Sequence, residues 1–370
     1  MTLDVHTQSD SLHRRARACV RAFEVAAPMP EPFDALAVDL ARFQAARVDG
    51  YGRLCRARGL DPASFRRASD APAVPTDAFK VSRVAAFPEG QAQAIFRTSG
   101  TTLGARGVHE MRDRTTYDEA AVAFGRWALA PDLTQRVPVL VLAPAPGEAP
   151  DSSLSHMLGL FVERFGKADG GPTYFVQGDV LDVAALDARV ARAMVEREPV
   201  MLLGTSFAFV HLLDALGDAP FRLPAGSRVM QTGGFKGRSR EVDAATLRTE
   251  LAAAFSTSQA SIVSEYGMTE LSSQFYEGTL RSSAARGGVY LEPPWARVIP
   301  VDPDTLAPVQ QGQIGIARIE DLMNVDSAFA VLAADRVRRV EGGFELLGRA
   351  AGSPPRGCSI AIDEILGGGG

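Results

Sequence analysis

The stretch ASIVSEYGMTE, residues 260–270, begins with a short apolar run and ends in small and polar residues. A short apolar run bounded by turn-forming residues is typical of a buried β-strand. The pattern recurs earlier in the chain, in VPVLVLA (137–143), PTYFV (172–176), PVMLL (199–203) and SRVMQT (227–232). Stretches with helical periodicity, such as residues 182–197 and 239–255, lie between these runs. The alternation predicts βαβ units and an α/β fold, with a mainly parallel sheet covered by helices.

The segments on either side of this alternation have a different character. Residues 1–70 carry apolar side chains at three- and four-residue steps, which predicts helices. From about residue 287 the apolar runs shorten between Gly and Pro, which predicts a small β subdomain. We therefore expect four parts: an N-terminal helical segment (1–70), an α/β core (71–286), a β-rich subdomain (287–349) and a short C-terminal tail (350–370).

Composition narrows the class of ligand and the compartment. The chain has 370 residues, 46% of them hydrophobic, and can bury a large core. Its net charge of −5 excludes charge-driven binding to nucleic acid or to an anionic membrane and favours a small ligand. The three cysteines, Cys19, Cys55 and Cys358, are odd in number and far apart, which indicates a reducing compartment. The polar start lacks an apolar signal core, so we expect a cytoplasmic protein.

Three loops rich in small residues follow predicted strands. In IFRTSGTTLGARG (95–107), Gly and hydroxyl residues offer N–H and O–H groups to a phosphate, without the lysine of a Walker loop. The paired glycines of QTGGFKG (231–237) leave room for a flat ring. Thr269 and Glu270 are expected at a strand's carboxyl end, where a carboxylate can coordinate phosphate-bound Mg²⁺. Each loop alone is compatible with a surface turn, but we expect all three at successive strand ends of one sheet, where α/β folds bind ligands.

Together, TSGTT (98–102), TGGFKG (232–237) and YGMTE (266–270) resemble the AMP-binding, adenylate-forming (ANL) superfamily. The strings VPTDAFK (74–80), SSLSHM (152–157), SEYGMTELSSQFY (264–276) and LGRAAGSPPRGCS (347–359) resemble more narrowly its acyl-protein synthetases, the LuxE-like long-chain-fatty-acid luciferin-component ligases. The likeness covers about residues 74–359. It implies an ANL-type N-terminal domain with most of the usual C-terminal domain absent.

The resemblance also implies an activity. Such an enzyme is an ATP-dependent acid–thiol ligase, which uses ATP and magnesium to convert a carboxylic acid into an acyl-adenylate. The acyl group then passes through a cysteine thioester to an accepting protein, such as a reductase subunit or a carrier protein. The implied nucleotide site consists of Thr98, Ser99, Gly100, Thr101 and Thr102 at the phosphates, Gly233, Gly234 and Phe235 at the adenine, Tyr266 and Gly267 beside the nucleotide and the acid, Asp335 at the ribose, and Arg349. Thr269 and Glu270 would contact the phosphates and the magnesium, and Cys358 would carry the acyl group.

The sequence departs from the superfamily pattern near its end. Larger members have a C-terminal lysine that clamps the carboxylate and the α-phosphate, whereas the lysines here are Lys80, Lys167 and Lys236. Three alternatives follow: Lys236, Lys80 or an arginine replaces the clamp, activation is slow, or a partner supplies the missing group. Ala351 stands where a hinge aspartate is usual, and Leu103 displaces the final glycine of the phosphate loop by one position.

Several alternatives stay open. Cys358 is either an inert buried thiol or an acyl carrier whose thiolate Arg356 would favour. A stand-alone acyl-CoA or carrier-protein ligase of natural-product biosynthesis, and a catalytically degenerate nucleotide-binding subunit, are also compatible with the sequence. A hydrolase with Ser206 as nucleophile is disfavoured, because the one histidine after it, His211, lies on the same predicted helix. We expect His109 to satisfy a loop carbonyl rather than to contact phosphate.

Overall fold

The computed structural model describes residues 5–99, 105–217, 219–233, 242–350 and 356–367. Its helices are α1 (Val5–Glu24), α2 (Phe33–Arg47), α3 (Asp49–Ala57), α4 (Ala78–Val81), α5 (Thr115–Leu129), α6 (Ser153–Phe165), α7 (Val183–Glu196), α8 (Ser206–Leu216), α9 (Ala244–Ala254) and α10 (Arg356–Leu366). Its strands are β1 (Val74–Pro75), β2 (Ala94–Arg97), β3 (Val108–Met111), β4 (Val139–Leu142), β5 (Val176–Gln177), β6 (Val180–Leu181), β7 (Met201–Thr205), β8 (Arg228–Thr232), β9 (Ile262–Tyr266), β10 (Phe275–Glu277), β11 (Val289–Leu291), β12 (Ala296–Val301), β13 (Ile314–Asp321), β14 (Ala330–Val340) and β15 (Gly343–Arg349). Six predicted site residues lie outside the described residues: Gly100, Thr101, Thr102, Gly234, Phe235 and Lys236.

The chain groups into two compact units. The first unit comprises Met1–Ala123, Met268–Ser273 and Glu292–Gly370, and the second comprises Phe124–Gly267 and Gln274–Leu291. A stretch of six residues thus belongs to the first unit while its sequence neighbours on both sides belong to the second. The four-part division expected from the sequence stays a prediction.

The second unit is built on a sheet with the strand order β4-β7-β8-β9-β10-β11. Strands β4, β7, β8 and β9 are parallel, and β10 and β11 extend the sheet in antiparallel fashion. The parallel strands are buried on both faces: Leu202 and Val229 on one face and Leu203 and Met230 on the other have no exposed surface. The predicted α/β class with a mainly parallel sheet is confirmed.

One predicted strand of this unit is much shorter than expected. Within PTYFV, Tyr174 forms a single parallel bridge to Val141 of β4, and regular pairing starts only at β5. Pro172 has no N–H to donate, and two glycines precede it, so the ladder cannot extend in that direction.

Polar side chains start the helices that follow the strands of this unit. The Thr205 hydroxyl accepts a hydrogen bond from the Ala208 N–H at 3.1 Å and so caps α8. Ser206, in the first turn of that helix, donates to the carbonyl oxygen of Gly233 at 3.0 Å. This contact is structural, in agreement with the rejection of a hydrolase.

The first unit combines the N-terminal helices with an antiparallel sheet. Strands β12 to β15 pair in sequence order, and β1 joins β14 in parallel through Val74 and Val331. Cys19 in α1 and Cys55 in α3 are buried, as the helical pattern around them predicts. In the described part of the chain, no helix is both long and apolar enough to span a membrane.

The hydroxyl-rich loop of residues 95–107 does not have the predicted setting. Strand β2, which precedes it, pairs antiparallel with β3 in a separate two-stranded sheet. The Thr98 N–H donates to the Gly107 carbonyl oxygen at 2.9 Å, and the Gly107 N–H donates to the Thr98 hydroxyl at 2.8 Å. Because these bonds close the stretch into a hairpin, the expectation of three loops on one sheet is wrong for this loop.

Candidate active site

Long-range hydrogen bonds hold the MTELSS segment, residues 268–273, in the first unit. The Asp321 carboxylate accepts hydrogen bonds from the N–H groups of Ser272 and Ser273, each at 2.9 Å, and from the Ser273 hydroxyl at 2.7 Å. Asp321 has no exposed surface. Burial raises its pKa, and these donors act in the opposite direction. The carboxylate therefore fixes the C-terminal half of the segment.

An amide pair fixes the middle of the same segment. The Asn324 side chain donates from Nδ2 to the carbonyl oxygen of Glu270 at 2.9 Å. The Asn324 carbonyl oxygen in turn accepts from Nε2 of Gln44 on α2, at 2.7 Å. Both amides are buried, so their hydrogen bonds strongly restrain the backbone at Glu270.

His109 on β3 holds the neighbouring carbonyl group. Its Nδ1 lies 2.8 Å from the carbonyl oxygen of Thr269, which can only accept, so Nδ1 carries the proton. Nε2 then accepts from the Ser327 hydroxyl at 3.0 Å. Burial lowers the pKa of His109 to about 4, and the ring is neutral at physiological pH. The prediction that His109 satisfies a loop carbonyl is confirmed.

The Glu270 side chain is only 6% exposed, although it carries a carboxyl group. Burial raises the pKa of Glu270 to about 7, and the positive charges of Arg349 and Lys80 lower it. The charge of Asp77 acts in the raising direction. A buried carboxyl group with a shifted pKa beside two cations is a common feature of functional sites.

The hairpin brings the start of the hydroxyl-rich loop close to Glu270. A Cβ atom on Gly107 would lie 3.5 Å from Oε1 of Glu270 and 3.0 Å from Cγ2 of Thr98. A side chain at position 107 would displace the Thr98 methyl group slightly, whereas its distance to Glu270 would be an ordinary van der Waals contact. Arg106 donates from Nε to the Thr98 carbonyl oxygen at 2.7 Å and helps to close the hairpin. Thr98 and Glu270 are thus brought together, and Ser99 follows directly in the chain.

Asp335 and Arg349 are opposite each other on β14 and β15. Nε of Arg349 lies 3.4 Å from Oδ1 of Asp335, and the Arg349 side chain is 79% exposed. The positive charge of Arg349 lowers the pKa of Glu270. We therefore call Glu270, Asp335 and Arg349 the Glu270 cluster. Asp335 and Arg349 lie 65 and 79 positions after Glu270 in the chain.

The second unit positions a further set of predicted residues where β8 and β9 end side by side. Thr232 and Glu265 are register partners, and the Thr232 hydroxyl donates to the Glu265 carboxyl group. Gly233 follows with a φ of +77°, in the left-handed region that favours glycine. A Cβ atom on Gly267 would lie 2.5 Å from Oε1 of Glu265, so this position also requires glycine. Tyr266 between them is buried.

The two lysines in the described part of the chain have similar surroundings. Nζ of Lys80 on α4 lies 2.5 Å from Oδ1 of Asp77, with the lysine side chain 44% exposed. Nζ of Lys167 in the second unit lies 2.8 Å from Oε1 of Glu198, with 46% exposure. Of the two, only Lys80 lowers the pKa of Glu270 through its positive charge.

Cys358 lies on α10 and is 4% exposed. Burial raises the pKa of its thiol to about 11, and the charge of Asp77 acts in the same direction. An ion pair of 2.9 Å between Glu364 and Arg58 ties α10 to the N-terminal helices. Both influences on the pKa, burial and the charge of Asp77, favour the neutral thiol, whereas the expected effect of Arg356, whose side chain lies outside the described part of the chain, stays a prediction.

Sequence analysis did not identify Asp77, Asp321, Asn324 or Ser327. Three of them lie in EDLMNVDS, residues 320–327, a polar run between apolar stretches that offers a weak signal. Their partners are about 50 to 280 residues away, and local patterns do not show such contacts.

Solved ligase structures share this fold. An open conformation of 2-hydroxyisobutyryl-CoA ligase in complex with 2-HIB-AMP and CoA has a TM-score of 0.60, covering 85% of this chain and 69% of that chain at 13% identity. The chain spans about half the length (49%) of ATP-bound MatB from Rhodopseudomonas palustris, with 71% of this chain covered, 16% identity and a TM-score of 0.49. The fold is that of the adenylate-forming (ANL) ligases.

Sequence comparison defines the family within this class. The family model "Acyl-protein synthetase, LuxE" matches residues 31–367. Over 333 residues, the chain is 24% identical to the long-chain-fatty-acid–luciferin-component ligase of Vibrio harveyi, covering 86% of this chain and 84% of the relative. The protein belongs to the acyl-protein synthetase family, as the motifs predict.

Proposed function

We propose that this protein uses ATP to activate a fatty or other apolar carboxylic acid as an acyl-adenylate and transfers the acyl group to a thiol. One observation carries the proposal: the buried Glu270 carboxyl group lies on a rigidly held segment and within the field of two cations. Family membership supplies the reaction class that this cluster fits.

The residue roles follow the family pattern and are proposals. Thr98 and Ser99, with Gly100, Thr101 and Thr102 beyond them, bind the phosphates, and Thr269 assists them. Gly233, Gly234 and Phe235 contact the adenine, Tyr266 and Gly267 flank the nucleotide and the acid, Asp335 binds the ribose, and Arg349 binds the nucleotide. The placement of Asp335 opposite Arg349 supports their joint role.

Activation is a displacement at the α-phosphorus. A carboxylate oxygen of the acid forms the new bond to phosphorus, and the bond to the bridging oxygen breaks, so that pyrophosphate leaves with the electron pair. No proton transfer is required, and catalysis consists of positioning and charge stabilisation. In this proposal the exposed Arg349 contacts the phosphates, while the MTELSS segment holds Glu270 in a fixed position.

We include magnesium in the proposal. Within the described residues, no group of three or more His, Cys, Asp or Glu side chains forms a metal site. Mg²⁺ is usually held by one or two carboxylates together with substrate phosphates, which the single carboxylate of Glu270 fits. A magnesium ion bound with the nucleotide would neutralise charge on the phosphate oxygens.

The acceptor is proposed to be a thiol on a partner, reached through Cys358. The thiolate would attack the acyl carbon of the adenylate and release AMP, and the thioester would pass the group to a reductase subunit or a carrier protein. In this route α10 has to expose Cys358.

The burial of Cys358 and its raised pKa favour a second candidate. In this alternative an external thiol, of coenzyme A or of a carrier protein, attacks the adenylate directly. We further propose a cytoplasmic location, which the three free cysteines support.

Acid-dependent exchange of labelled pyrophosphate into ATP tests the activation step, with a panel of carboxylic acids and Mg²⁺. Exchange that appears only with an acid is expected, and its absence with every acid would contradict the proposal. Intact mass of the wild type and of Cys358→Ser after incubation then separates the two acceptors. An acyl adduct lost in the variant supports the Cys358 route, and no adduct in the wild type supports direct transfer.

A further inference from the structure

The chemistry of activation requires a cation at one particular place. The acid is a carboxylate and the α-phosphate is anionic, so the two reactants repel each other as they approach. Charge also accumulates on the equatorial oxygens in the transition state. A positive group that touches both reactants lowers this barrier.

Helix α4 places a lysine beside the Glu270 cluster. The Phe79 side chain is buried, and its Cβ lies 3.5 Å from the point that a Cβ on Gly107 would occupy. Oε1 of Glu270 also lies 3.5 Å from this point, so Phe79 and Glu270 both approach Gly107. Lys80 follows Phe79 directly and is 44% exposed, so a short path links the cluster to a solvent-accessible ammonium group.

Backbone pairing fixes the position of α4 relative to the pair of Asp335 and Arg349. The Thr76 N–H donates to the carbonyl oxygen of Leu332 on β14 at 3.0 Å, where β1 runs parallel to that strand. Asp335 lies three residues after Leu332 on β14. Because β1 and β14 are parallel, the chain leaves β1 towards α4 in the direction that leads along β14 to Asp335. Helix α4, which carries Lys80, is therefore tethered to β14 a few residues before Asp335.

Apart from Arg349, which the proposed function assigns to the nucleotide, three neighbouring arginines are engaged by other groups. Arg83 forms a two-pronged ion pair with Glu110, at 2.9 and 2.7 Å. Arg112 binds Asp10 at 2.6 Å. Arg106 donates to backbone carbonyl groups of its own hairpin. Lys80, in contrast, has an exposed aspartate from its own helical turn as its ion-pair partner, and such pairs contribute little and exchange readily.

We propose that Lys80 leaves Asp77 when the substrates bind and contacts both the carboxylate of the acid and the α-phosphate during activation. The ammonium group stays protonated throughout, and no bond to it forms or breaks. The inference rests on the proposed function and assigns the cation that the activation step requires to a specific residue of the first unit.

Pyrophosphate exchange with Lys80→Ala and Lys80→Arg tests the assignment, on the full-length chain. We expect Lys80→Ala to reduce the exchange rate at saturating ATP and acid by about 100-fold or more, the effect of removing one transition-state donor. Lys80→Arg, which keeps the charge, should recover at least part of the loss. Lys167→Ala is the matched control, because Lys167 has the same exposure and the same kind of partner, and its rate should equal that of the wild type.

Three further results separate this role from its competitors. Asp77→Asn removes the ion pair and keeps the lysine, so it should reduce exchange far less than Lys80→Ala. Equal losses in both variants would show that only the ion pair matters and would overturn the assignment. A wild-type rate in Lys80→Ala, with the loss found in Lys236→Ala instead, would also overturn it. Absence of exchange in the wild type with every acid would count against the proposed function itself, a different outcome from a failure of Lys80 alone.

Discussion

Glu270 is subject to two opposing requirements. In its proposed role as a magnesium ligand, Glu270 has to be ionised, whereas burial favours the neutral acid and raises its pKa to about 7. The folded protein therefore binds a proton at this group more tightly than the unfolded chain, whose value is near 4.5. The resulting stabilisation is complete below pH 4.5 and is lost as the pH rises through 7. Above pH 7 the Glu270 carboxylate of the ligand-free protein is ionised in buried surroundings that solvate a charge poorly.

The change Glu270→Gln removes this charge and keeps the shape. At pH 8 we expect the free energy of unfolding to exceed that of the wild type by up to about 3 kcal/mol, with little difference at pH 4.5. Pyrophosphate exchange should be abolished at the same time. Denaturant titrations at both pH values and the exchange assay test this. A variant that is active, or that is destabilised at pH 8, would contradict the assigned role.

At the scale of elements, the MTELSS segment owes its position to polar groups rather than to regular structure. It is not part of a helix or strand, and Asp321, Asn324 and His109 replace the ladder hydrogen bonds that it lacks. Hydrogen bonds in such buried surroundings are stronger than in water, although Oδ1 of Asn324 has no hydrogen-bond partner among the described residues. The backbone that carries Glu270, the proposed magnesium ligand, is therefore held by buried side chains rather than by strand pairing.

The change Asp321→Asn places an amide NH₂ group against backbone N–H donors. We expect a loss of about 2–4 kcal/mol in unfolding free energy, together with weaker exchange activity, because the buried donors lose a charged acceptor. Asp302→Asn is the matched control: Asp302 also accepts from backbone N–H groups and a hydroxyl, but in an exposed turn. Equal effects of the two substitutions on stability and on exchange would show that Asp321 has no special role.

The docked position of α10 makes the accessibility of Cys358 measurable. Cys19, Cys55 and Cys358 are all buried, and burial raises the pKa of each thiol to about 11. We expect slow alkylation at pH 7.5 for all three in the free protein. Arg58→Ala, which breaks the ion pair to Glu364, should accelerate labelling at Cys358 alone. Peptide mapping after a timed pulse of iodoacetamide measures this, and equal acceleration at Cys19 would point to general destabilisation instead.

At the scale of the whole molecule, local sequence patterns predicted buried strands but not how all of the strands pair. The runs around Leu202, Val229 and Ile262 are apolar on both faces, so the parallel strands could be predicted from them. The hairpin of β2 and β3 was missed because its closure depends on bonds between Thr98 and Gly107, which periodicity does not reveal.

The candidate site shows the same division. Sequence analysis singled out Glu270, Asp335 and Arg349 because each lies in a short motif with a recognisable resemblance, and their roles stay predictions. The groups that position them, such as Asp321 and Gln44, are contributed by distant parts of the chain and have no motif of their own. The proposed site residues thus lie in local motifs, whereas the residues that position them come together only in the folded chain.

The central claim, attack of the acid on the α-phosphorus, is tested most directly with ¹⁸O-labelled carboxylic acid. Turnover with ATP, Mg²⁺ and a thiol acceptor should transfer one ¹⁸O atom from the carboxylate to AMP, because the carboxylate oxygen bonded to phosphorus leaves with it. Mass spectrometry of the nucleotide products reads this out. Label in inorganic phosphate with ADP as the product, or AMP without label, would contradict the account.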